Sequence, residues 1–248
     1  MKSLLLAAGY GTRLYPLTKT TPKALLMVGG KPVIDYSVEQ INQVDQIDEI
    51  FLITNDRFAP QFVTWAATAP TEKPIRIVND GTTTDENRLG AIRDIAFAME
   101  HGDIFDPLLV MGCDNIFEWN LEALVQFYNK KHSNVLCALY EEKKEILSHS
   151  GVVSFDQDGK VIDFAEKPAN PKSQYLVPPI YIFTPYTLPR IREYLSEGNN
   201  PDAPGHFIAW LHKIETIYAF RSLGKRWDIG SREGYEKAVK HFSPVRFS

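Results

Sequence analysis

Apolar positions along the chain alternate between short continuous runs and helical stripes. Residues 3–8 form an apolar run that ends in a glycine loop, and residues 49–54, 74–78, 107–111 and 135–140 are runs of the same kind. Continuous runs of this length suit strands covered on both faces. Between them lie segments with a three-to-four-residue period. Residues 32–44 begin at a proline and set Val33, Tyr36, Ser37 and Ile41 near one face. Residues 57–67 carry the stripe Phe58, Phe62, Trp65 and Ala66, residues 87–99 read as a third helix, and residues 119–132 place Leu121, Leu124, Val125 and Tyr128 at i, i+3, i+4 and i+7. Strands and helices in alternation predict βαβ units around a largely parallel sheet.

The pattern changes past residue 140. Residues 151–155 and 160–164 flank Asp156-Gln157-Asp158-Gly159 and predict a β-hairpin. Residues 179–183 and 216–220 read as further strands, and residues 232–242 as a last helix that buries Tyr235, Ala238, Val239 and Phe242. Residues 199–205, rich in Asn, Pro and Gly, read as a loop. There is no internal repeat and no low-complexity tract. One domain over residues 1–248 is expected, with an α/β half over about 1–133 and a β-rich half over about 134–248.

Composition narrows the classes. A hydrophobic fraction of 44% supports a sizeable core, and a net charge of -4 argues against a nucleic-acid partner. Two cysteines, Cys113 and Cys137, form no CxxC pattern, so a reduced cytoplasmic protein is expected. The run Leu4–Ala8 is too short to span a membrane and predicts a buried strand rather than a leader, so no membrane partner is expected. The histidines show no HExxH spacing, and none is assigned to zinc.

Five segments carry candidate chemistry. In Leu6-Ala7-Ala8-Gly9-Tyr10-Gly11-Thr12-Arg13-Leu14 a strand feeds a glycine loop, then a hydroxyl and an arginine. Such a loop lets backbone N–H groups approach an anion, and a guanidinium adds permanent positive charge. It is neither a Walker A loop nor a full dinucleotide fingerprint, since Leu14 stands where the third glycine belongs. Thr21-Pro22-Lys23 aims a lysine from a proline-fixed bend. Residues 108–115 end an apolar strand in Asp114-Asn115, and ligands of open α/β sheets gather at the carboxyl ends of strands. Glu166-Lys167-Pro168 closes the second hairpin strand, and Arg226-Trp227-Asp228-Ile229-Gly230-Ser231 leads into the last helix. Each segment alone has a plain reading: a tight turn, a solvated lysine, an Asp-Asn turn, an exposed ion pair, and an N-cap at Ser231. Asp156-Gln157-Asp158 is a DxD triplet of the kind glycosyltransferases use, but its Gly159 and flanking strands make it a hairpin turn.

Together the segments closely resemble the signature of the sugar-1-phosphate nucleotidylyltransferases, which include glucose-1-phosphate thymidylyltransferases and uridylyltransferases. The match runs from Leu6 through Gly30-Lys31-Pro32 and returns at Asp114, Gly151, Glu166-Lys167-Pro168 and Trp227-Asp228. The resemblance implies a Rossmann-like nucleotide-diphospho-sugar transferase fold, with a mixed, mostly parallel sheet flanked by helices, a nucleotide-binding first half and a sugar-binding second half. It implies that Ala8, Gly9, Gly11, Thr12, Arg13 and Gly90 hold the nucleotide. Gly151, Glu166 and Lys167 would hold the sugar phosphate, Asp114 and Asp228 would ligate Mg²⁺, and Arg13, Lys23 and Lys167 would serve catalysis. The partners implied are a nucleoside triphosphate, dTTP or UTP, and a sugar 1-phosphate; a homo-oligomer is compatible. A nucleotide-sugar-dependent glycosyltransferase would not need Lys23 and the Gly-x-Gly-Thr-Arg loop, and a non-catalytic sensor of nucleotide sugars would be expected to lose the carboxylates or the cations. The sequence departs from the family at Cys113, where glycine is usual, in the long polar stretch Thr82–Asn87, and at Val177-Pro178-Pro179, where Gly-x-Tyr is usual.

Overall fold

The structure, a computed structural model, describes residues 1–243. The chain enters through β1 (Lys2–Leu6), crosses the glycine loop and two 3₁₀ turns (Thr12–Leu14 and Lys23–Leu25), and makes a small ribbon of β2 (Met27–Val28) and β3 (Lys31–Pro32) before α1 (Val33–Asn42). Then come β4 (Glu49–Thr54), α2 (Ala59–Ala66), β5 (Ile75–Asn79), α3 (Ala91–Gly102), β6 (Leu108–Gly112), β7 (Asn115–Phe117), α4 (Leu121–Lys131) and β8 (Asn134–Tyr140). The remainder is α5 (Lys144–Leu147), β9 (Gly151–Phe155), β10 (Val161–Glu166), β11 (Tyr175–Val177), β12 (Ile180–Phe183), α6 (Leu188–Ser196), α7 (Pro204–Leu211), β13 (Ile217–Ser222), β14 (Arg226–Asp228) and α8 (Arg232–Phe242).

One ten-stranded sheet has the order β10-β9-β11-β8-β12-β6-β1-β4-β5, with β13 beside β8. Pairing directions make β1, β4, β5, β6, β8, β9 and β13 run one way and β10, β11 and β12 the other. The sheet is therefore mixed and mostly parallel. Its central strands are apolar on successive residues because both faces are covered. Leu5, Leu52 and Leu109 point to the side of α1, α2 and α4, while Leu4, Phe51 and Leu108 point to α3, α6 and α7. A third, smaller core of Val28, Val33, Ile116, Ile229 and Ala238 fastens α8 and the β7–β14 ribbon beside the sheet.

Several local expectations change. The third helix starts at Ala91, not at Asn87. Asn87 accepts the N–H groups of Thr83 and Thr84, closing a single 3₁₀ turn over Asp85–Asn87, and Gly90 then breaks direction at φ +89. Residues 204–211, partly read as loop, form α7, with Pro204 in its first turn where a missing N–H costs nothing. On α8 only Ala238 is fully buried; Tyr235, Val239 and Phe242 are half-buried against the third core. The hairpin is as expected. Asp156 accepts the N–H groups of Asp158 and Lys160, and Gly159 takes φ +84, so the first carboxylate of the DxD triplet serves a turn.

The antiparallel run from β11 to β12 is broken at Val177-Pro178-Pro179. Prolines have no N–H for the ladder, so a strand pairs badly where two follow each other. Val177 faces Gly151 in register, Gly151 faces Glu166, and the Pro179 carbonyl accepts the Gly112 N–H at 2.9 Å. The break thus joins the carboxyl end of β6 to the ends of the hairpin strands within three residues.

Candidate active site

The glycine loop leaves β1 at the carboxyl edge of the parallel strands. Ala8 is buried, and its carbonyl accepts the Asn55 amide at 2.8 Å, which fixes where the loop begins. A Cβ on Gly9 would meet nothing within 4 Å, so the space above it is open. Gly11 has φ +63, a left-handed conformation that favours glycine, and its carbonyl accepts the Thr18 hydroxyl at 2.7 Å. Thr12 and Arg13 follow on the first 3₁₀ turn, both exposed. The Arg13 guanidinium reaches across to the turn after β14, where its Nη2 is 3.9 Å from the position a Gly230 Cβ would occupy.

Lys23 comes from the second 3₁₀ turn, and its Nζ donates to Asp114 Oδ2 at 2.7 Å. Asn115 donates to the other carboxylate oxygen at 2.6 Å. Burial works against ionising Asp114. The Lys23 charge and hydrogen bond, with Arg226 beyond, overcome it and hold the carboxyl below the usual carboxylate range. Asp228 pairs in register with Asn115, one residue past Asp114, and the Asp114 carbonyl accepts the Ile229 N–H at 2.8 Å. Two carboxylates far apart in sequence therefore sit on neighbouring backbones. Asp228 is gripped by Arg226 at 2.7 Å and by the Gly230 N–H at 2.7 Å.

A cleft of about 210 Å³ opens between these strand ends, lined by Gly9, Lys23, Ala91, Asp114, Pro179 and Pro204 among others. Asp228 and Arg226 line a second, wider groove of about 780 Å³. Gly90 lies just behind Ala91, and a Cβ there would strike the Pro201 carbonyl, so this glycine permits close packing of the segment before α7. On the far side of the proline break, Gly151 gives room to Phe164 and the Glu166 carboxylate. Burial raises the Glu166 carboxyl above its ordinary range, against the pull of Lys167 and His206. Lys167 has a left-handed backbone (φ +49) and an exposed ammonium 3.7 Å from Glu166. Among the described residues Glu166 and Lys167 make no hydrogen bond to the Asp114–Asp228 cluster.

With this arrangement in view, the family model described as nucleotidyl transferase matches residues 2–243. The chain belongs to the nucleotidyl transferase family. A UTP–glucose-1-phosphate uridylyltransferase of Synechocystis sp. is 27% identical over 97% of the chain and 63% of its own length. A glucose-1-phosphate adenylyltransferase of Ruminiclostridium cellulolyticum is 25% identical over 95% of the chain and 58% of its own length, so the chain spans about three fifths of these two relatives. A solved UDP-glucose pyrophosphorylase complexed with UDP-glucose shares the fold, with a TM-score of 0.83 at 24% identity over 97% of each chain.

For this member of the nucleotidyl transferase family, two contributors escape a reading by motif. Arg226 bridges Asn115 and Asp228, and its only sequence signal is the two-residue spacing that puts it on the Asp228 face of β14. Gly205 lies so close to Glu166 that any Cβ there would overlap the carboxylate, a contact across 39 positions that no local pattern announces.

Proposed function

We propose that the protein transfers a nucleotidyl group from a nucleoside triphosphate to a sugar 1-phosphate, releasing pyrophosphate and forming a nucleotide sugar. The observation that carries this reading is the gathering of Arg13, Lys23, Asp114, Arg226 and Asp228 where the glycine loop meets the carboxyl ends of β1 and β6. The relatives' named substrates support it.

In the proposed reaction a phosphate oxygen of the sugar phosphate attacks the α-phosphorus. A new P–O bond forms as the bond to the β-phosphate oxygen breaks. The nucleophile is already anionic near neutral pH, so no side chain needs to remove a proton. The difficulty is to bring two polyanions together and stabilise the charge that builds on the transferring phosphoryl group. Arg13, Lys23 and the N–H groups of the Gly9–Thr12 loop would supply that charge from the nucleotide side, with Ala8, anchored by Asn55, fixing where the loop begins. Lys167 supplies it from the sugar side, where Glu166 and the Gly151 backbone take sugar hydroxyls. Gly90 borders the base.

Among the described residues no group of three or more His, Cys, Asp or Glu side chains is placed to hold a metal. Two carboxylates on neighbouring backbones, one held ionised by a lysine, suit Mg²⁺, which takes one or two carboxylates and completes its shell with phosphate oxygens and water. Asp114 and Asp228 would hold it, and bound there it would neutralise phosphate charge. The base is assigned as uracil or thymine and the sugar as a hexose 1-phosphate. Among the described residues no helix is long and apolar enough to cross a membrane. The buried thiols Cys113 and Cys137 suit a reducing cytoplasm.

A pyrophosphate-release assay with a panel of triphosphates and hexose 1-phosphates, with and without EDTA, tests the assignment. Release that requires both substrates and the metal is expected. Hydrolysis of a nucleotide sugar with transfer of its sugar, or binding without turnover, would overturn it.

A further inference from the structure

Behind the glycine loop lies a buried acidic pair that the proposed reaction does not use. Asp80 follows β5, and Asp94 is in the first turn of α3; they are 8% and 7% exposed. Each carboxylate has one buried oxygen, Asp80 Oδ2 and Asp94 Oδ1, with no conventional donor. The remaining oxygen of Asp80, Oδ1, accepts both the N–H and the hydroxyl of Thr82 at 2.7 Å. The Thr82 hydroxyl in turn accepts the Tyr10 hydroxyl at 3.1 Å, and Tyr10 lies between Gly9 and Gly11. A chain of hydrogen bonds thus runs from Asp80, at the end of β5, to the loop proposed to cradle phosphates.

Two ionised carboxylates side by side, out of water, repel strongly. The charged and titratable groups that bear on this network offer no relief. Asp80 feels Asp94 and Asp56, and Asp94 feels Asp80. Tyr10 feels Asp80, Asp85 and the exposed Arg57. We propose that Asp80 and Asp94 share one proton, and that this O–H···O⁻ bond is a positioning element that holds Thr82 and Tyr10 and so sets the geometry of the Gly9–Gly11 loop. The proton resides on Asp94, because Asp80 already receives two hydrogen bonds from Thr82 that favour its charge. Burial, then the charge and hydrogen bond of Asp80, push the Asp94 carboxyl up to about 8. When that proton leaves, Asp80 and Asp94 push apart, Thr82 loses its anchor, and Tyr10 is freed.

This inference rests on the proposed function for its effect on nucleotide binding but not for the proton itself, and the test separates the two. Infrared spectra of the protein should contain the carbonyl band of a buried protonated carboxyl that disappears as pH rises through about 8. The band should be missing from Asp94→Asn at every pH, since an amide donates to Asp80 without titrating. Calorimetric titration with UTP and with dTTP should show wild-type affinity falling above that pH, by up to about tenfold per pH unit for one linked proton. Asp94→Asn should bind as the wild type does at pH 7 and lose that limb; Asp94→Ala, which leaves Asp80 without a donor, should bind weakly throughout. Thermal melts confirm that each variant is folded. Absence of the band, or an unchanged pH limb in Asp94→Asn, would overturn the proposal. A band that titrates as expected in a protein that binds neither triphosphate would uphold the shared proton and sink the nucleotide assignment instead.

Discussion

Lys23 pairs with Asp114 and Arg226 with Asp228, so each carboxylate already has a cationic partner and single substitutions are informative. Asp114→Asn and Asp228→Asn should each abolish most pyrophosphate release while circular dichroism stays native; wild-type rates in both would remove them from the reaction. Arg13→Ala and Lys23→Ala should each slow turnover by about a hundredfold or more, the scale of losing one charge-stabilising group. Should KM rise with kcat unchanged, these cations bind ground state and transition state alike. Asp94 yields a separate stability prediction. Its folded value of about 8 lies above the roughly 3.9 of an unfolded aspartate. The native state therefore keeps a proton that the unfolded chain has lost. The stability this proton contributes is fully present below pH ~4 and is lost as pH rises through about 8. The slope approaches ~1.4 kcal/mol per pH unit inside that window. Denaturant unfolding at pH 5, 7 and 9 should show Asp94→Asn with a flatter profile than the wild type; a shared slope would place the proton elsewhere.

At the scale of elements, what was legible followed from repetition. β4 and α8 have the bounds their patterns predict, because five apolar or β-forming residues in a row, Ile50–Thr54, or an N-cap serine ahead of a periodic stripe, are local signals. Ser231 does cap α8, accepting the Gly234 N–H at 3.1 Å. The Gly9–Arg13 loop, Lys23, Asp114 and Asp228 could be named for a different reason, their resemblance to a family signature, and the fold then brings them together. What escaped was whatever depends on pairing across the chain. β7 and β14 are three residues each and exist because they pair and rest on Ile116 and Ile229. α7 lies in a stretch whose Pro and Gly suggest a loop, yet its Phe207, Ile208 and Leu211 cover the sheet. Its Gly205 also makes the space for Glu166, which leads to a prediction at this scale. Gly205→Ala should displace the Glu166 carboxylate and raise KM for the sugar 1-phosphate several-fold, the reach of one disturbed polar contact. KM for the triphosphate should stay unchanged. Equal effects on both substrates would mean that α7 supports the whole cleft rather than its sugar side.

For the molecule as a whole, the sheet is a single platform whose two regions meet at the Val177–Pro179 break, and substrate choice must be settled on either side of it. On the proposed nucleotide side the cleft is about 210 Å³, small beside the roughly 300–1,000 Å³ of ordinary ligand pockets. Its walls are close because Pro204 and the segment before it press on Ala91 and Gly90, and the N–H groups of Ala91 and Ile92 donate to the Asp202 and Pro201 carbonyls. The polar stretch from Thr82 to Asn87 is tied down as well, through Asp80 at one end and the Asn87 turn at the other, with Arg88 paired to Asp202. A base bound beside Gly90, as proposed, would meet a segment tied down at both ends rather than a loop free to widen, and a one-ring base would enter with less displacement than a two-ring base. Calorimetric titration with dTTP, UTP, CTP, ATP and GTP in Mg²⁺ should rank dTTP or UTP first, with CTP behind and the purines weakest. A clear preference for ATP or GTP would overturn the pyrimidine assignment and show that the segment before α7 moves to admit the larger base, while the reaction class would stand on the cations and carboxylates at the strand ends.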